Sequence, residues 1–194
     1  MKTNRLSLAW ILMITLVGGC ALVPEQAPVE RAWFLLEVPA PAAASATVPV
    51  ELASIRVAPA FAGKGLVYRI GPYRYESDFY NEWFLGPREH VEQLLRERWT
   101  REGAPVTLVA DARTDPGARQ LDVLVTAFHG DLQGGADGTA RVGLRVFAQG
   151  GGRTWLWNLE RGVPMTSRSP EALVAALSSG MAALMEDLEQ RLRE

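Results

Sequence analysis

A chain of 194 residues, 48% hydrophobic and 22% charged, is long enough for one domain with a sizeable core. Its 20 Lys and Arg against 22 Asp and Glu give a formal net charge of −2, which argues against a nucleic-acid partner held by a basic surface. One cysteine excludes an internal disulfide, so burial must supply the stability.

The opening segment, MKTNRLSLAWILMITLVGGC, reads as a targeting signal and not as part of the fold. Lys2 and Arg5 form a short basic region, and residues 6–17 form an apolar stretch too short for a comfortable membrane span. Val17-Gly18-Gly19-Cys20 resembles a bacterial lipobox, in which the cysteine is lipidated and becomes the mature N-terminus. Residues 1–19 are therefore expected to be a signal peptide and Cys20 a lipidation site. An uncleaved membrane anchor is the alternative, and it would leave the domain on the same side of the membrane. Several acyl chains would anchor stably, since each buried methylene contributes roughly 0.8 kcal/mol. The resemblance to lipoproteins makes the next residue a sorting position. It is Ala21 and not Asp, which favours a periplasm-facing outer-membrane location. Removal of residues 1–19 takes Lys2, Arg5 and no acid, leaving a net charge of −4 and no polybasic run to hold the domain against anionic lipid.

Residues 20–30, with ALVPEQAPVE after the cysteine, read as a lipidated tether, and residues 31–194 as one domain. In chain order, residues 32–38 (AWFLLEV) have strand character, and residues 39–49 form a Pro- and Ala-rich loop. Residues 50–58 alternate, with Val50, Leu52, Ile55 and Val57 inward if a bulge intervenes near Ala53-Ser54. Residues 66–70 and 73–77 flank Gly71-Pro72, which suits a two-residue hairpin turn. That register places Tyr68, Tyr73 and Tyr75 on a core face and Arg69 opposite Arg74 on an outer face.

A helix follows from Pro87, with Glu89 in its first turn, Val91, Leu94, Leu95 and Trp99 at helical spacing, and Gly103 as its C′ residue. Residues 106–110 and 119–128 read as strands, with Leu121, Val123, Val125 and Ala127 on one face of the second. The loop HGDLQGGADG leads to strands over residues 139–148 and 154–162. The last helix is capped at Ser169-Pro170-Glu171 and carries the stripe Leu173, Val174, Leu177, Met181, Leu184, Leu188 and Leu192. The order predicts an α+β fold, a sandwich of a mixed, mostly antiparallel sheet with two main helices on one face.

Catalytic motifs are missing. His90 and His129 are the only histidines, no serine sits in a G-x-S-x-G frame, and Gly150–Gly152 lacks a phosphate-loop pattern. Glu186, Asp187 and Glu189 read as solvated charge on the outer side of the last helix. No enzyme activity, metal or cofactor is expected beyond the covalent lipid on Cys20.

Phe34-Leu35-Leu36, Gly65-Leu66-Val67-Tyr68-Arg69, Tyr73, Tyr75, Asp78, Tyr80, Phe84 and Pro87 together resemble the ABC-type transport auxiliary lipoproteins. These are the PqiC-like outer-membrane lipoproteins of MCE-type intermembrane transport. Residues 122–128 with Gly130-Asp131, and residues 140–146, resemble the family's later strand pair. The resemblance implies a non-enzymatic periplasmic domain working with an MCE-domain protein and an ABC transporter, with a homo-oligomer as a further expectation. It supplies no residue-level site. From the hairpin, the docking candidates are Arg69, Arg74, Glu76, Asp78, Tyr80 and Trp83. Two other readings stand beside this one: a structural or regulatory envelope lipoprotein, and a small-molecule binder using the aromatic segment as its pocket.

Overall fold

The long strand of residues 119–131 is the spine of the domain, and its two edges explain the rest. The computed structural model describes residues 30–115 and 117–194, and residues 31–194 form one compact unit. The expected signal peptide and the expected lipidation site Cys20 lie outside the described residues. Among the described residues, eight strands and two α-helices follow in order: β1 (Ala32–Phe34), β2 (Val48–Val57), β3 (Gly65–Arg69), β4 (Tyr75–Trp83), α1 (Pro87–Trp99), β5 (Val106–Leu108), β6 (Arg119–Asp131), β7 (Thr139–Gly150), β8 (Arg153–Pro164) and α2 (Pro170–Arg193).

One edge of β6 is shared by two branches. Residues 119–125 run parallel to β2, which in turn carries β5. Gly130 and Asp131 run parallel to Tyr68 and Arg69 of β3, which pairs antiparallel with β4, and β4 carries β1. The other edge bears the antiparallel meander β6–β7–β8, whose ladders are the longest in the sheet. The sheet is mixed, as the strand pattern predicts.

Leu121, Val123 and Val125 are fully buried on the helix-covered face. A bulge between Val125 and Ala127 then shifts the alternation, so Phe128 and not Ala127 continues the buried row. The expected irregularity in β2 is present: pairing skips from Leu52 to Ser54, which keeps Ile55 inward. The expected strand 32–38 is shorter. Beyond Phe34 the chain leaves the ladder, and the Leu36 N–H donates to His90 Nε2 at 2.9 Å in place of a strand partner.

Helix α1 opens at Pro87 and buries Val91, Leu94, Leu95 and Trp99. It ends at Trp99 with Thr100 as a right-handed cap, so Gly103 is not its C′ residue. Gly103 instead takes φ +76° in the following turn, and its carbonyl accepts the Ala44 N–H at 2.9 Å. In α2 the Ser169 hydroxyl accepts the Ala172 N–H at 3.2 Å, and the expected stripe is buried apart from the half-buried Val174. Gly180 lets this helix approach the sheet, because a Cβ there would lie 2.6 Å from Val142 Cγ1.

The acids of α2 divide in an unexpected way. Asp187 is a surface group paired with Arg161 and Arg191. Glu189, read from the sequence as solvated, is 4% exposed. The Arg98 guanidinium grips it in a two-pronged contact at 2.6 and 2.9 Å, and Trp99 Nε1 donates to the same carboxylate at 3.0 Å. Arg98 Nη1 also donates to the Pro39 carbonyl at 2.8 Å. One buried ion pair thus joins α1, α2 and the loop after β1.

Candidate functional site

The β3–β4 hairpin turns one residue later than Gly71-Pro72 suggests. Arg74 N–H donates to the Gly71 carbonyl at 3.3 Å, which makes Pro72 and Tyr73 the central residues. Pro supplies the fixed φ that the first central position needs, and Gly71 does not take the positive φ of the expected turn. Arg69 therefore pairs with Tyr75, and Tyr68 with Glu76. A one-residue slip exchanges the faces of a strand, so the tyrosines do not form one core face. Tyr68 packs half-buried against the core, Tyr73 is 99% exposed at the tip, and Tyr75 lies on the helix-free face. Gly130 makes room for the Tyr68 ring, since a Cβ there would lie 3.0 Å from Tyr68 Cδ1. Burial pushes the Tyr68 hydroxyl pKa up to about 12, with smaller contributions from the Asp78 and Glu171 charges.

On the helix-free face, the end of β6 carries a cleft of about 470 Å³ lined by Arg69, Tyr75, His129, Asp131, Arg141 and Glu160, among others. His129 is its floor. The imidazole stacks on Phe61 with centroids 5.1 Å apart and planes 3° apart, and the Tyr75 ring meets it edge-on at 5.4 Å. Arg69 Nη1 pairs with Asp131 at 3.3 Å and Nη2 donates to the Pro72 carbonyl at 3.3 Å, which fastens the hairpin tip to the spine. The acid that compensates Arg69 is thus Asp131, whereas Glu76 pairs with Arg74 at 2.5 Å. The cleft presents three guanidinium groups (Arg69, Arg141 and Arg161), two carboxylates and an aromatic wall to a polar partner. Among the described residues, no group of three His, Cys, Asp or Glu is placed to hold a metal ion.

Burial pushes the His129 pKa down to about 4, against a smaller opposing effect of Asp131. The fold therefore favours neutral His129, while the unfolded chain takes up a proton near pH 6.5. The stability it contributes is complete above pH 6.5 and is lost as the pH falls towards 4. His90, also buried and lowered, adds in the same direction. We expect urea midpoints to fall between pH 7 and pH 5. His129→Phe, which keeps the stack on Phe61, should flatten that fall by about 1–2 kcal/mol. An unchanged pH slope in His129→Phe would remove His129 from the cause.

The remaining docking candidates separate. Asp78 is a latch: its Oδ1 accepts the N–H groups of Tyr80 at 2.9 Å and Asn81 at 3.0 Å, and its Oδ2 accepts Asn81 Nδ2 at 2.9 Å. This holds a wide bulge where pairing with β3 jumps from Val67↔Ser77 to Gly65↔Glu82. Tyr80 stands exposed on the bulge beside Phe79. Trp83 does not belong to a surface: it is 2% exposed and stacks on Phe128 at 4.9 Å. Only Arg69, Arg74 and Glu76 gather at the hairpin. Phe61, His129, Asp131 and Arg141 were not among the docking residues expected from the sequence. The signal available was His129 two residues from Asp131 on one strand, which puts both on the same face.

A mixed sheet with helices on one face and a charged, aromatic cleft on the other makes a domain of the α+β class. The chain belongs to the family of ABC-type transport auxiliary lipoprotein components, whose family model matches residues 34–189. Among solved structures, one of an uncharacterized protein is 16% identical, with a TM-score of 0.67 over 84% of this chain and 99% of its own. Another, from Xanthomonas campestris, is 14% identical, with a TM-score of 0.64 over 84% of this chain and 94% of its own. At these identities the likeness is one of fold. No curated protein matches the sequence.

Proposed function

We propose that this chain is a non-enzymatic accessory of an MCE/ABC-type intermembrane lipid transport system, lipidated at Cys20 and held at the outer membrane facing the periplasm. In this reading it docks the transport assembly through the tip of the β3–β4 hairpin and the adjoining cleft. The observation that carries the docking is the hairpin itself. Arg69 and Asp131 brace it from below, while Tyr73 and the Arg74–Glu76 pair project from its tip. A braced aromatic tip with a charged rim is the composition of an interaction hot spot.

The test is co-purification with an MCE-domain protein of the same organism, in detergent or nanodiscs. Tyr73→Ser with Arg74→Glu should cut recovery of the partner at least tenfold and leave the urea midpoint unchanged. Undiminished recovery would exclude the hairpin tip as the docking element. Failure of the wild type to associate would count against the MCE reading.

A further inference from the structure

The aromatic bulge of β4 has no role in the hairpin or the cleft. Its neighbours make it one patch. Phe79 and Tyr80 meet edge-to-face at 5.5 Å, and β1 brings Trp33 alongside by pairing with Glu82. The Phe84 N–H donates to the Phe34 carbonyl at 2.9 Å, which sets Phe84 at the end of the same ladder. Trp33, Phe79, Tyr80 and Phe84 are each between 44% and 66% exposed. Two cations border them: the Arg31 guanidinium lies 4.9 Å over the Phe79 ring, and Lys64 Nζ donates to the Phe84 carbonyl at 3.2 Å. The acids nearby are Glu30 in sequence and Glu82, paired across from Trp33.

We infer that this patch sits in the headgroup layer of a phospholipid bilayer, as a second contact beside the lipid anchor. Three observations choose the bilayer as the occupant. The chain enters the domain at Arg31, within the patch, with ten residues between it and Cys20. A tether of that length reaches about 35 Å at full extension, so the root of the domain cannot stray far from an anchored cysteine. Aromatic rings with polar edges and flanking Arg or Lys are also the side chains that suit a membrane–water interface. Finally, the Asp78 latch commits a carboxylate to three hydrogen bonds that fix the bulge on which Phe79 and Tyr80 stand exposed. With Glu30 and Glu82 near the two cations, attachment rests on the rings more than on anionic lipid. The inference depends on the chain being a lipoprotein and is independent of the transport partners, so hairpin variants leave it untouched.

The test uses the full lipidated protein in phosphatidylcholine–phosphatidylglycerol vesicles with brominated acyl chains, read by tryptophan fluorescence. Brominated lipid should quench a component of the emission that disappears in Trp33→Phe. Phe79→Ser with Tyr80→Ser should reduce that component at least twofold while vesicle flotation and circular dichroism stay unchanged. If the double variant misfolds, Phe84→Ser serves in its place. Equal quenching of wild type and Trp33→Phe would overturn the proposal. So would light scattering in detergent that shows the double variant dissolving an oligomer, with no lipid quenching in the wild type, since the patch would then face a second copy.

Discussion

Arg98→Met is expected to destabilise the domain by about 3–5 kcal/mol, because it leaves the Glu189 carboxylate buried without a counter-charge. For a domain of this size that corresponds to a melting temperature lower by roughly 10 °C. Adding Glu189→Leu should recover part of the loss, since an apolar pair of similar volume replaces a buried ion pair at little cost. Recovery stays incomplete because Trp99 Nε1 and the Pro39 carbonyl would each lose a partner, at about 1–3 kcal/mol apiece. Thermal and urea unfolding of the wild type and both variants checks this. A double variant less stable than Arg98→Met would show that the carboxylate serves its other neighbours more than the arginine.

Trp83→Ala should cost about 3–5 kcal/mol by opening a cavity beside Phe128 and His90. Trp83→Phe, which keeps an aromatic ring against Phe128, should cost less than half as much. Any loss of partner binding in Trp83→Ala is then expected to track the unfolded fraction and to return on cooling or with an osmolyte. A variant with an unchanged urea midpoint and lost binding would place Trp83 at an interface instead of in the core.

What the sequence could and could not convey follows from where each signal originates. Helices α1 and α2 were legible because capping residues and apolar spacing are local properties: Ser169, Pro170 and the Leu173-to-Leu192 stripe lie within one segment. The β2 bulge was legible because the alternation of Leu52 and Ile55 breaks visibly. Elsewhere the deciding contact was distant in sequence. Glu189 looks solvated until Arg98 and Trp99 are brought to it from α1. The hairpin slip and the β4 bulge reverse side-chain direction without altering the apparent pattern, which is how Trp83 passed for a surface residue and Tyr73 for a core one. His129 became notable only when Phe61 closed over it from another strand connection.

The shared edge of β6 also orders events in time. Strands β2 and β3 have their parallel partner in residues 119–131, so those two ladders close only after most of the chain is in place, although β3, β4 and β1 can pair among themselves earlier. The meander β6–β7–β8 and α2, by contrast, bring neighbouring segments together and form with short loops. Folding is therefore expected to begin at the C-terminal end and to recruit the N-terminal strands backwards onto a finished spine. Until then β2 and the free edge of β3 lack their central partner and are the aggregation-prone edges of the N-terminal half.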